Sequence, residues 1–135
     1  MSCVRGMSGN VPMAIKPLLG LIREGLPVEE LEELRATLAV PMERLAPMLG
    51  ISKATLHRRK AGGRLDPAES DRVVRYARLM GQAVAVLGSE ETARQWLGSP
   101  QVGLGGSVPL EYAETEVGAR EVENLLGRIE HGVYS

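Results

Sequence analysis

Leu45-Ala46-Pro47-Met48-Leu49-Gly50-Ile51-Ser52-Lys53-Ala54-Thr55-Leu56-His57-Arg58-Arg59-Lys60-Ala61 reads as two short helices joined by a tight glycine turn, the pattern of a helix-turn-helix. Leu45, Ala46 and Leu49 lie on one helical face. Gly50 supplies a left-handed residue to end the first helix, and Ile51 plugs the corner. Ser52 then caps the second helix, with Leu56 as its inward anchor. Lys53, Ala54, His57 and Arg58 fall on the opposite side, where a recognition helix faces a major groove. Ser52, Lys53, Ala54, His57 and Arg58 are therefore the candidate DNA-binding residues. Two residues depart from the pattern. Pro47 deletes a backbone donor inside the first helix and predicts that it is short or kinked. Arg59 stands where such motifs usually carry another buried apolar side chain. The same corner occurs in proteins that never touch DNA, so these residues alone leave a purely structural role as the alternative.

With 135 residues and 44% hydrophobic content, the chain can bury a core as one domain or two small helical lobes. It has no Phe, one Trp and three Tyr, so that core is built from Leu, Val, Ala, Ile and Met, which favours packed helices over sheets. Cys3 is the single cysteine and has no internal disulfide partner. There is no charged-then-apolar signal segment and no apolar run near the ~20 residues that span a bilayer, which points to a cytoplasmic protein with no membrane partner. The net charge of −1 conceals two regions. Lys53 to Arg78 holds eight Lys or Arg against three acids, a net of +5; Ser107 to Ser135 holds six Glu against two Arg, a net of −4. A basic middle suits phosphates, and an acidic end suits a positively charged protein surface.

Residues 1–14 lack helical periodicity and are expected to form a mobile leader. Lys16 to Glu24 makes one or two turns closed by Gly25, and Pro27 starts a helix with the apolar stripe Val28, Leu31, Leu34, Leu38. Its acids Glu29, Glu30, Glu32 and Glu33 read as a solvated face that complements the helix dipole. After the helix-turn-helix, Gly62 and Gly63 stop the chain's helix and Asp66-Pro67-Ala68-Glu69 supplies a cap, a first-turn proline and a capping-box acid. The helix that follows is predicted over Pro67 to Leu87, the longest and most buried, with Val73, Ala77, Met80, Val84 and Leu87 along one side and Val74 and Ala83 widening the stripe. Arg72, Arg75 and Arg78 form a row on its other face, near enough to Asp71 for helix-face ion pairs. Ser89 caps a short helix, Glu90 to Leu97, whose Trp96 and Leu97 are core or interface anchors. Gly98 to Gly106 reads as an exposed linker and a natural break. Pro109 restarts helix, and Thr115 caps a last helix with Gly118, Val122, Leu125, Leu126 and Ile129 on its apolar face, ending at Gly132. The apolar surplus of the long helix and the Trp96 helix predicts a homodimer or larger.

His57 and His131 are the only histidines, no pair has metal-ligand spacing, and no serine sits in a nucleophile elbow. Gly103-Leu104-Gly105-Gly106 neither follows a strand nor precedes a Lys-Ser/Thr pair, so it is not a phosphate loop. The expectation is a binding protein with no catalytic residues, metal or cofactor.

Gly63-Arg64-Leu65-Asp66-Pro67-Ala68-Glu69-Ser70-Asp71-Arg72, followed by Arg75 and Ala77, resembles the segment joining the two halves of the Xre/MbcA/ParS antitoxin family. The ending resembles it further, in Gly105-Gly106-Ser107-Val108-Pro109-Leu110, Thr115-Glu116-Val117-Gly118-Ala119-Arg120-Glu121-Val122 and Arg128-Ile129-Glu130-His131-Gly132-Val133-Tyr134. The resemblance covers roughly residues 39 to 135. It implies an all-α, dimer-forming antitoxin with a helix-turn-helix lobe (39–65) and a helical toxin-binding and dimerisation domain (66–135), and says little about the N-terminal segment 1–38, read above as a leader plus helix. It further implies a RES-domain toxin partner that degrades NAD or transfers ADP-ribose from it, an NAD pocket covered by the antitoxin's C-terminal segment, and operator DNA as a second partner. The candidate toxin-binding residues are Glu116, Gly118, Arg120, Glu121, Arg128, His131 and Tyr134. Their region's acidic balance complements the positive groups that any NAD pocket needs for pyrophosphate. The alternative is a stand-alone helix-turn-helix transcriptional regulator whose C-terminal half only dimerises.

Overall fold

The computed structural model describes residues 15–132; the expected leader and Tyr134 lie outside them. Among the described residues the elements are α1 (Ile15–Glu24), α2 (Glu29–Leu38), α3 (Met42–Met48), α4 (Lys53–Gly62), α5 (Pro67–Leu87), α6 (Glu90–Leu97), a 3-10 turn (Val102–Leu104), α7 (Pro109–Tyr112) and α8 (Glu116–Glu130), with no strand. The all-α expectation is met: a helix-turn-helix domain is followed by a second helical domain.

The 21-residue α5 is the axis of the molecule, and its start is set locally. The Asp66 carboxylate accepts from the Glu69 backbone N–H at 2.7 Å, and Glu69 Oε1 accepts from the Asp66 N–H at 2.9 Å. This reciprocal box satisfies two donors that the first turn leaves without partners. α1, α2, α6 and α8 all pack against α5. Enclosure on several sides buries Tyr76 and Leu79, which lie off the stripe expected from periodicity, along with Val73, Val74, Ala77, Met80 and Ala83. Val84 and Leu87 are only partly buried. One chain therefore hides most of the long helix's apolar surface, with Leu97 buried and Trp96 half-buried against the same core, while Val84, Val86 and Leu87 stay partly open.

The residues ahead of the helix-turn-helix are stitched to the residues behind it. Val28 N–H donates to Gly63 O at 2.9 Å, Leu65 N–H to Leu26 O at 2.9 Å, and Arg64 Nη1 to Gly25 O at 2.8 Å. Leu26 N–H donates to Ser70 Oγ on α5 at 2.8 Å. Because Pro27 is held in that short bridge with Arg64, α2 begins only at Glu29. Glu30 is buried, so it does not belong to the solvated acidic face expected of it.

The segment 98–106 is not an open linker. Gln101 and Ser107 pair across it, with Gln101 N–H donating to Ser107 O at 3.0 Å, and Leu104 is buried. Beyond it, Leu110, Ala113, Ala119, Val122, Leu125 and Leu126 are buried in the shared core. Residues 107 onward thus complete the fold rather than hang from it, which corrects the expected natural break.

Candidate functional site

α3 is seven residues long and carries Pro47 one residue before its end, short as the proline predicts. Leu45, Ala46, Leu49 and Ile51 are buried at the corner. Gly50 sits at φ 70°, where a side chain is strained, and a Cβ there would lie 3.1 Å from Arg72 Nη1. That guanidinium comes from α5 and donates to Leu49 O at 3.1 Å, satisfying a carbonyl at the end of α3.

Ser52 Oγ accepts from the Thr55 N–H at 3.1 Å and caps α4 as expected. Lys53, Ala54, His57 and Arg58 are all exposed on its outer side, with Arg58 Nη2 donating to Thr55 Oγ1 at 3.2 Å. Leu56 packs against the core as the expected inward anchor but is only half-buried, and α4 has no fully buried residue. Arg59, equally half-buried, also turns inward. Its Nε donates to Glu69 Oε1 at 2.8 Å, and its Nη2 lies 3.3 Å from both Glu69 Oε2 and Asp66 Oδ2. The hydrogen bond to Glu69, helped by the charges of Glu69 and Asp66, holds the Arg59 guanidinium above its ordinary range. The apparent defect at Arg59 is an ion pair onto the capping box of α5.

Of the eight cations between Lys53 and Arg78, Arg59, Arg64, Arg72, Arg75 and Arg78 have partners inside the fold. Arg75 donates to Glu114 O at 3.1 Å and pairs with Glu116 at 3.2 Å; Arg78 pairs with Glu123 at 3.7 Å. The arginine row of α5 therefore ties α3, α7 and α8 to the axis, and its partners are on those elements rather than at Asp71. The cations of that stretch left exposed without such a partner are Lys53, Arg58 and Lys60, all on α4, with Lys53 and Lys60 on one flank and Arg58 on the other. Lys60 was not among the sequence candidates, because the signal that places it, the inward turn of Arg59, is tertiary. Beside it lies a cleft of about 360 Å³ with Met42, Pro47, Ile51 and Leu56 in its lining and Lys53 and Lys60 at its sides.

Among the described residues, the toxin-binding candidates are spread along α8. Glu116 and His131 stand at opposite ends of α8, about 22 Å apart along the axis. Glu116 is exposed but paired with Arg75; Arg120 and Glu121 are exposed. Gly118 is buried, and a Cβ there would run into the carbonyl oxygen of Tyr112. It is the seat of α8 on α7, with Ala119, Val122, Leu125 and Leu126 near it buried inside the chain. Arg128 and His131 do come together, lining a cleft of about 440 Å³ with Glu123, Asn124 and Gly127. Arg128 Nε is buried there without a hydrogen-bond partner. Among the described residues no group of three or more His, Cys, Asp or Glu is placed to hold a metal, and no helix is long and apolar enough to cross a membrane. The two surfaces are suited to binding, one cationic on α4 and one polar on α8.

Two family models match the chain: the antitoxin Xre-like helix-turn-helix domain over residues 17–78 and the antitoxin Xre/MbcA/ParS C-terminal toxin-binding domain over residues 82–132. The first includes α1 and α2, in keeping with the stitching at Gly25 and Leu26. The chain is similar to antitoxin Xre of Yersinia enterocolitica, 37% identical over 87% of this chain and 81% of the relative. It is also similar to antitoxin Xre of Photorhabdus laumondii, 36% identical over the same shares. A Sphingobium protein named Prs ADP-ribosylating antitoxin is 26% identical over 94% of this chain and 91% of its own length.

Proposed function

Since this chain belongs to the Xre family of antitoxins, with a helix-turn-helix domain and a toxin-binding domain, we propose that it neutralises a RES-domain toxin acting on NAD and also binds operator DNA to regulate its own operon. The observation that carries the toxin reading is the outer face of α8. Its apolar side is largely buried at home, while Arg128 and His131 line a shallow surface depression that no other described residue fills. Gly127 adds to this. A glycine in a helix interior costs about 1 kcal/mol relative to Ala, and among the described residues nothing beyond its own helix packs where its Cβ would stand, so the position leaves room for close approach by a partner. Four exposed acids, Glu111, Glu114, Glu121 and Glu130, keep this end acidic even though Glu116 and Glu123 pair with α5, and an NAD pocket is cationic. The name of the Sphingobium relative supports NAD chemistry, because ADP-ribosylation consumes NAD. Neutralisation is by binding and requires no catalysis by the antitoxin. Dimerisation, implied by the family, would draw on what is left outside, such as Leu19 and Val117.

Coexpression with a RES-domain toxin tests the reading. A stable complex on size exclusion and restored cellular NAD are expected, and Arg128→Glu should abolish both while the antitoxin stays folded. Absence of a complex with the intact chain would overturn it in favour of a stand-alone regulator. For the DNA arm, exposed Lys53, Arg58 and Lys60 are the supporting observation.

A further inference from the structure

We infer that Arg59 is a positioning residue for DNA reading: through Glu69 and Asp66 it fixes the rotation of α4 on the end of α5 without touching the nucleic acid. This rests on the DNA-binding part of the proposed function.

Beyond Leu56 packed against the core and the Gly63 carbonyl bonded to the Val28 N–H, α4 has little else to hold it. It buries no residue fully, its cap is made by its own Ser52, and Leu56 is half-buried beside an open cleft. The Arg59 contact is of a different kind. Its acceptor Glu69 has a side chain only 6% exposed, so removing the guanidinium would leave a buried carboxylate without its counter-charge. The contact uses two nitrogens on two oxygens, which sets orientation as well as distance. Successive residues turn by about 100° around a helix, so Lys53, Ala54, His57 and Arg58 all lie roughly 100° to 160° away from Arg59. With Arg59 turned inward, those four must face out. The partner is also part of the α5 capping box, which is the stiffest available anchor because its own backbone hydrogen bonds hold it.

Arg59→Met and Arg59→Lys in the full-length chain test this, read by hydrogen exchange over residues 53–62, by melting temperature, and by affinity for a duplex spanning its own promoter across a salt series. Arg59→Met should speed exchange in α4 while α5 stays protected. It should weaken DNA binding roughly tenfold at fixed salt and leave the salt slope unchanged. Arg59→Lys keeps the charge but not the two-point geometry, so it should fall between the two; it carries the comparison if the methionine variant does not fold. A salt slope lowered by about 1 with unchanged exchange would make Arg59 a phosphate contact and overturn the inference. Unchanged exchange and affinity would overturn it equally, showing that apolar contact suffices. If the parent chain binds no promoter DNA, the DNA reading fails, whereas the exchange data still decide whether Arg59 holds the helix.

Discussion

The Tyr76 hydroxyl donates to the Leu110 carbonyl oxygen at 3.1 Å, in a place where Tyr76 has no exposed surface. The bond joins the middle of α5 to α7 and fixes where the C-terminal third of the chain sits. A buried phenol needs such a partner, and in a helix of four residues the Leu110 carbonyl is among the last four, which no helix N–H reaches.

Tyr76→Phe should therefore lower stability by about 1 kcal/mol, because it leaves that carbonyl unsatisfied, and the melting temperature should drop by about 4 °C. An unchanged melting temperature would show that the bond contributes nothing net.

Burial, reinforced by the charge of Glu114, pushes the Tyr76 hydroxyl well above its ordinary value of 10.0. The fold keeps the proton while the unfolded chain releases it. Stability from this group is thus complete below about pH 10 and declines as pH rises above it. Melting curves at rising alkaline pH should fall more steeply for the parent than for Tyr76→Phe. Parallel curves would place the alkaline loss elsewhere.

Gly118→Ala should destabilise the protein by about 1–3 kcal/mol, since the added methyl meets the Tyr112 carbonyl backbone, which has no rotamer by which to retreat. The loss is steric, so denaturant midpoints should shift equally at low and high salt. A shift that vanishes in high salt would contradict this.

Truncation after Gly106 should yield an insoluble or molten chain. It removes Leu110, Ala113, Ala119, Val122, Leu125 and Leu126 from the core and exposes the side of α5 that α8 covers. Cooperative melting of the soluble fragment would show that the first domain stands alone.

Lys53→Ala and Arg58→Ala should each weaken promoter binding and lower the salt slope by about 1, with no change in melting temperature, because both side chains are exposed. A salt slope equal to the parent's would remove that residue from the phosphate contacts.

What was legible in the sequence was what short stretches decide by themselves. The Asp66-Pro67-Ala68-Glu69 start and the Gly88 stop placed α5 at its observed bounds, and Ser52 placed the start of α4, because caps, prolines and left-handed glycines act within four residues. The helix-turn-helix corner followed from the same local rules, as did the exposed set Lys53, Ala54, His57 and Arg58.

Only the tertiary structure decided how those pieces use their faces. Periodicity assumes one buried side, so it missed Tyr76 and Leu79 on a helix enclosed by four others, and it set Glu30 in solvent. It marked Arg59 as a flaw because an arginine turned toward the core is costly until Glu69, ten residues away, supplies the opposite charge. It left Gly98 to Gly106 as a linker and gave Gly118 to a partner, because neither the Gln101–Ser107 pairing nor the approach of the Tyr112 carbonyl has any local signature. The physical reason is common to all of them. Burial and charge pairing belong to neighbours in space, and a sequence states only neighbours along the chain.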